Sequence, residues 1–180
     1  MLAGDARVRA VTDLPVALLL THAHPDHYGA AGEFHEIWLH ERDRAILPGM
    51  ARLDEALGAS PLPAQRVQWF DDRQTFDLGD WQLRVLPCPG HTPGSVLFVD
   101  DGQQAVFSGD ALGSGYIVLM SIPGALSLAA YRQSLIALAQ RLKGCADYTW
   151  YTGHYHQAGA PGTSGYEPNA FRFDNSITFM

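Results

Sequence analysis

Nine residues, Thr21-His22-Ala23-His24-Pro25-Asp26-His27-Tyr28-Gly29, limit what this chain can fold into more than any other stretch. They follow Val16-Ala17-Leu18-Leu19-Leu20, an apolar run whose length reads as a buried strand. A polar cluster directly after such a strand belongs to a loop at the rim of a sheet. Alternation along that loop sends His22 and His24 the same way, which suits two imidazoles closing on one ion. Asp26 and His27 follow at the entry to a short helix over Asp26–Glu33 and can face a neighbouring second ion. Imidazole and carboxylate together favour zinc, with iron or manganese as alternatives, over calcium or magnesium.

Three further candidates sit where strands end. His91 lies in the turn-rich segment Pro87-Cys88-Pro89-Gly90-His91-Thr92-Pro93-Gly94-Ser95. Asp110 ends Val106-Phe107-Ser108-Gly109-Asp110, and His154 ends Tyr151-Thr152-Gly153-His154. A strand, a glycine and then a ligand-type residue make short, rigid loops able to aim side chains at one point. With the first cluster they supply His22, His24, His27, His91, His154, Asp26 and Asp110, enough for two metal sites sharing one carboxylate.

The rest of the chain reads as one α/β domain over residues 1–180. Gly4–Asp13 is a helix remnant, broken by Leu14-Pro15. Ile37–Leu39 is a strand and Glu41–Leu47 a short helix ended by Pro48-Gly49. Residues 50–65 form a partly helical excursion over the metal site. From Val67 onward the pattern turns to β: Gln74–Leu78 and Gln82–Leu86 form a hairpin around Gly79-Asp80, and Ser95–Val99 pairs with Ala105–Phe107. Leu128, Tyr131, Leu135, Leu138 and Leu142 recur at helical spacing, with Ser127 as N-cap and Gly144 beyond the end. Tyr148–Thr152 is a last strand, and 157–180 is loop-rich.

Composition narrows the partners. With 180 residues, 47% hydrophobic and 17% charged, the chain is globular and long enough for a real core. A net charge of −7 argues against nucleic acid, which needs a concentrated basic surface. No apolar run approaches bilayer length and no signal peptide is legible, so a cytoplasmic protein off the membrane is expected. Cys88 and Cys145 read as separate buried thiols, and Cys88 as structural despite lying three residues before His91. His35 and His40 flank a strand away from the motif loops and read as surface or satisfied core. Ser95 and Ser108 read as turn residues, His156 as a neighbour of the site, and Ser114, Gly115 and Tyr116 as pocket-lining by position.

The set T-H-A-H-P-D-H, P-G-H-T-P-G-S, S-G-D and G-H, in that order across residues 21–154, resembles the metallo-β-lactamase superfamily of metallohydrolases. The resemblance implies an αββα sandwich of two mixed β-sheets flanked by helices, with metals at one edge of the facing sheets. Carried over position by position, His22, His24 and His91 would hold a first metal. Asp26, His27 and His154 would hold a second, with Asp110 bridging both. Family members begin with further strands, so the domain is expected to be N-terminally incomplete: a fragment, an internal-start product or half of a swapped oligomer. One sheet would then expose apolar surface or unpaired backbone. The sequence also stops short of the helical extension that hydroxyacylglutathione hydrolases use to hold glutathione, so a glutathione thioester is the less expected substrate.

The implied chemistry is hydrolysis of a small ester, thioester or lactam by a hydroxide bridging two zinc ions, with Asp26 partnering the nucleophile's proton. Two alternatives stand beside it: a mononuclear iron oxidoreductase resembling persulfide dioxygenases, and a non-catalytic metal-binding fragment. A small-molecule substrate is implied, and a homo-oligomer is compatible with it.

Overall fold

The computed structural model describes residues 8–112 and 118–154. Hydrogen bonds from the Val11 and Thr12 amides to the Val8 carbonyl form a last helical turn ahead of the first strand, within the expected helix remnant. Three strands then form one parallel sheet: β1 (Ala17–Leu19), β2 (Glu36–His40) and β3 (Val67–Phe70), in the order β1-β2-β3. Parallel neighbours need a crossover. The first contains α1 (Pro25–Tyr28), the second α2 (Leu47–Leu57).

The second sheet, β4-β5-β6-β7-β8, is mixed. It joins β4 (Thr75–Asp77), β5 (Gln82–Pro87), β6 (Val96–Asp100) and β7 (Ala105–Gly109) antiparallel, then adds β8 (Thr149–Thr152) parallel to β7. Helix α3 (Leu128–Arg141) makes that last crossover.

Three apolar clusters mark the spaces between layers. Phe70, Phe76, Val85, Val96 and Phe98 fill the gap between the sheets. Leu20, Tyr28, Ile37, Leu39 and Met50 join the first sheet to α1 and α2. Leu86, Leu97, Val99, Val106, Leu138 and Trp150 join the second sheet to α3. Strands β5 and β6 alternate between the inter-sheet gap and the α3 side because a strand has a two-residue period. This is the αββα sandwich that the motifs imply.

Four local readings change. The helix over Asp26–Glu33 is α1 followed by a separate 3-10 turn, Ala31–Glu33. The helix over Glu41–Leu47 is a 3-10 turn, Glu41–Ala45, and Pro48 opens α2 rather than ending a helix. Proline is well suited to a first turn, where its missing N–H has no partner to lose. Leu128, the first residue of α3, is exposed, so the packed stripe starts at Tyr131. The hydrophobic period does not report which turn first reaches the sheet.

Phe107 and Tyr151 stack with ring centroids 5.0 Å apart yet are 39% and 38% exposed. Their neighbours Val106 and Trp150 face α3, so alternation turns this pair toward the side where the first sheet lies. Among the described strands β1 and β3 are the edges of that sheet. Among the described residues no helix is long and apolar enough to cross a membrane.

Candidate metal centre

The site is built where both sheets end. The Val96 amide, at the start of β6, donates to the Thr21 carbonyl at 3.0 Å, tying the loop after β1 to the second sheet. Gly109 closes β7 at φ +50, beside a register shift against β8, and a Cβ there would lie 2.2 Å from Thr21 Oγ1. Only glycine fits both the backbone and the close approach. The His91 turn rests on α3: a Cβ on Gly90 would meet the Tyr131 ring at 2.1 Å, and the Tyr131 hydroxyl donates to the Ala111 carbonyl.

All seven predicted side chains come together. His24 Nδ1 and His91 Nε2 are 2.9 Å apart, and the His22 ring centroid is 4.8 Å from each of the other two. Asp110 Oδ2 lies 3.0 Å from His154 Nε2, 3.5 Å from His27 Nε2 and 3.6 Å from His91 Nε2. Asp26 Oδ2 lies 3.4 Å from His154 Nε2 and 3.5 Å from His27 Nε2. Three overlapping sets result, each with one ligand-type atom per residue within 4.8 Å of the others: His22/His24/His91, His22/His27/Asp110 and Asp26/His27/His154.

The electrostatics suit a cation. His22 and His24 are buried, as is His91, and burial lowers all three imidazoles, His24 to about 4. They are neutral at pH 7, the form that donates to a metal. Burial would raise Asp110, but the imidazoles of His27, His22 and His154 hold it well below the usual carboxylate range. Burial also opposes a proton on His27; the Asp110 and Asp26 carboxylates outweigh it and raise that imidazole. His22 Nε2, His24 Nε2, His27 Nε2 and Asp110 Oδ1 are buried with no hydrogen-bond partner. Orphaned buried polar atoms are costly, and a bound ion is a common explanation. The donor set therefore fits divalent metal, and the chain has a metal-binding site.

The remaining candidates separate from it. His35 is exposed, while buried His40 pairs its Nε2 with Asp72 at 3.0 Å and accepts the Arg42 amide. Cys88 lies in the core against α3, where burial pushes its thiol up to about 12. Cys88 and Cys145 are both free and buried. Ser95 Oγ accepts the Thr92 amide, and Ser108 Oγ donates toward backbone carbonyls. His156, Ser114, Gly115, Tyr116 and 157–180 lie outside the described residues. The excursion does contribute Leu53, which with Leu119 and Ile122 walls a cavity of about 110 Å³ shared with His24, Asp26, His91, Asp110 and His154.

One residue beside the site has no counterpart among the candidates legible in the sequence. Asp43 is fully buried and accepts from Ala23, Thr92 and Gly94. It sits in the charged run Glu41-Arg42-Asp43-Arg44, within the stretch that reads in sequence as a short helix and that singles out no functional residue.

Comparison with known proteins agrees with this geometry. The GloC hydroxyacylglutathione hydrolase of Haemophilus influenzae is 32% identical over 114 residues, 59% of this chain and 54% of its own length. The acyl-coenzyme A thioesterase MBLAC2 of Bos taurus is 28% identical over 137 residues, 64% of this chain and 49% of its own. The chain thus spans about half the length of these curated relatives. The crystal structure of TTHA1623 in a di-iron-bound form superposes with a TM-score of 0.68 at 32% identity, covering 88% of this chain and 77% of that one. The family profile described as the metallo-beta-lactamase superfamily matches residues 15–154, and the chain belongs to that superfamily.

Proposed function

We propose that this chain is a dinuclear zinc hydrolase acting on a small thioester or ester. His22, His24 and His91 would hold one ion and Asp26, His27 and His154 the other, with the Asp110 carboxylate available to both. The observation that carries the reading is the convergence of seven donors with four orphaned atoms among them. Support for a thioester comes from the relatives named for hydroxyacylglutathione and acyl-coenzyme A hydrolysis. Lactams share the carbonyl chemistry but have no comparable support beyond the fold, and fold alone does not select a substrate.

When bound, such a metal pair supplies hydroxide at neutral pH and polarises a carbonyl. The chain's residues do the rest. Asp26, with its side chain 53% exposed, reaches the cavity from the solvent side and can take a proton from the attacking water. His91 Nδ1 donates to the Leu119 carbonyl at 2.8 Å, which fixes the ring and leaves Nε2 free to ligate. Leu53, Leu119 and Ile122 exclude water and receive the apolar part of the acyl group. Ser95 and Ser108 are hydrogen-bonded and the Cys88 thiol is held protonated, so none is poised as a nucleophile.

Elemental analysis of protein purified without added metal, followed by an ester, thioester and lactam panel on the same sample, tests this. About two zinc per chain with thioester turnover is expected. One iron per chain and no hydrolysis would overturn it in favour of an oxidoreductase.

A further inference from the structure

Three neutral donors from two different loops converge on a single buried carboxylate. Asp43 Oδ2 accepts the Ala23 amide and the Thr92 hydroxyl, each at 2.9 Å, and Oδ1 accepts the Gly94 amide at 2.6 Å. Ala23 lies between His22 and His24, and Thr92 follows His91. One side chain, anchored in the 3-10 turn after β2, therefore grips both segments that supply the His22/His24/His91 set. It takes no part in any of the three metal-competent sets, and the three donors on its oxygens are all uncharged. Burial pushes the carboxyl up to about 6, with the three donors pulling the other way. A Cβ on Gly94 would sit 2.8 Å from Asp43 Cγ and Oδ1, so the turn is shaped around this group.

We propose that Asp43 is a positioning residue: it clamps the His22–His24 loop to the His91 turn and thereby sets zinc affinity at the three-imidazole half of the centre. The inference rests on the metal assignment proposed above. Its three donors, Ala23, Thr92 and Gly94, all belong to the segments that carry His22, His24 and His91, so the other half depends on it far less. Asparagine is close in volume but offers one acceptor oxygen and a donor amide. Either Gly94 or the Ala23/Thr92 pair then faces a donor, and the clamp opens on one side.

The test is competitive zinc titration of the whole chain against a chromophoric chelator at pH 8, alongside the cobalt-substituted absorption spectrum. The variants are Asp43→Asn, the milder Thr92→Val, which removes one of the three donors, and Asp100→Asn. Asp100 is a buried carboxylate at the opposite end of β6 that accepts the Gln103 amide. Outer contacts of this kind are worth about 10–100-fold in metal affinity. Asp43→Asn is expected to weaken one of two zinc sites by about that factor, with a changed cobalt spectrum and the other site held within about 3-fold. Thr92→Val should move the same site less and stay folded even if Asp43→Asn does not, and Asp100→Asn should move neither. Equal loss at both sites, no change in Asp43→Asn or Thr92→Val, or an equal effect of Asp100→Asn would overturn the clamp. Wild-type protein that takes up no zinc would instead remove the metal assignment, and the clamp with it.

Discussion

Gly153→Ala is the sharpest test of how tightly the centre is built. Gly153 separates the end of β8 from His154, and its amide donates to the Gly109 carbonyl at 3.2 Å. An added Cβ would lie 2.0 Å from Asp110 Oδ1 and 2.9 Å from His27 Cε1, whereas ordinary contact begins at 3.4 Å. The carboxylate must retreat by about 1.4 Å, the difference between those limits, or the turn must open by as much. Asp110 now stands 3.0–3.6 Å from three imidazoles, so such a shift takes it out of common reach of them. Misplacing a reacting group by 1 Å costs roughly 100-fold in rate. The overpacking itself costs about 1–3 kcal/mol of stability, too little to unfold a domain of ordinary stability. We therefore expect zinc content to fall below two per chain and thioester kcat/KM to drop at least about 100-fold, while the urea transition stays cooperative. Gly32→Ala, where a Cβ meets nothing within 4 Å, is the matched control. Wild-type zinc content and turnover in Gly153→Ala would refute the reasoning.

His91→Ala should lose metal and hydrolysis together while exposed His35→Ala loses neither, measured by elemental analysis and the same thioester assay. Metal-free protein should lose stability on acidification: His22, His24 and His91 titrate lower folded than unfolded, so the unfolded chain binds more protons as pH falls from about 6.5. His24, lowered to about 4, alone removes about 3 kcal/mol over that window, and Asp43, raised to about 6, offsets part of it with opposite sign. Urea midpoints at pH 7.5 and 4.5 that do not differ would contradict this. Ser127 Oγ accepts the Ala130 amide at the start of α3, so Ser127→Ala should cost about 1 kcal/mol in the urea transition and leave zinc content unchanged.

Much of the layer plan is legible in the sequence because both of its signals are local. Strands such as Val96–Asp100 and the leucine stripe of α3 carry their burial in residue spacing, and the strand-glycine-ligand pattern announces His91, Asp110 and His154 one by one. Pro48 misleads because proline both ends a helix and opens one, and the packing of the residues beyond it decides between the two. The stacked Phe107 and Tyr151 show the same limit. Alternation predicts which face they share, but only neighbouring strands determine whether that face is covered.

By itself the sequence determined the donor types, their order and the strand ends that carry them, because those depend on short-range backbone geometry. The tertiary structure alone decided that His24 Nδ1 meets His91 Nε2 across 67 positions of chain and that Asp43, in a charged turn, lies buried between their loops. Hydrogen bonds between segments so far apart are set by how two sheets and their crossovers pack. No local periodicity encodes that arrangement.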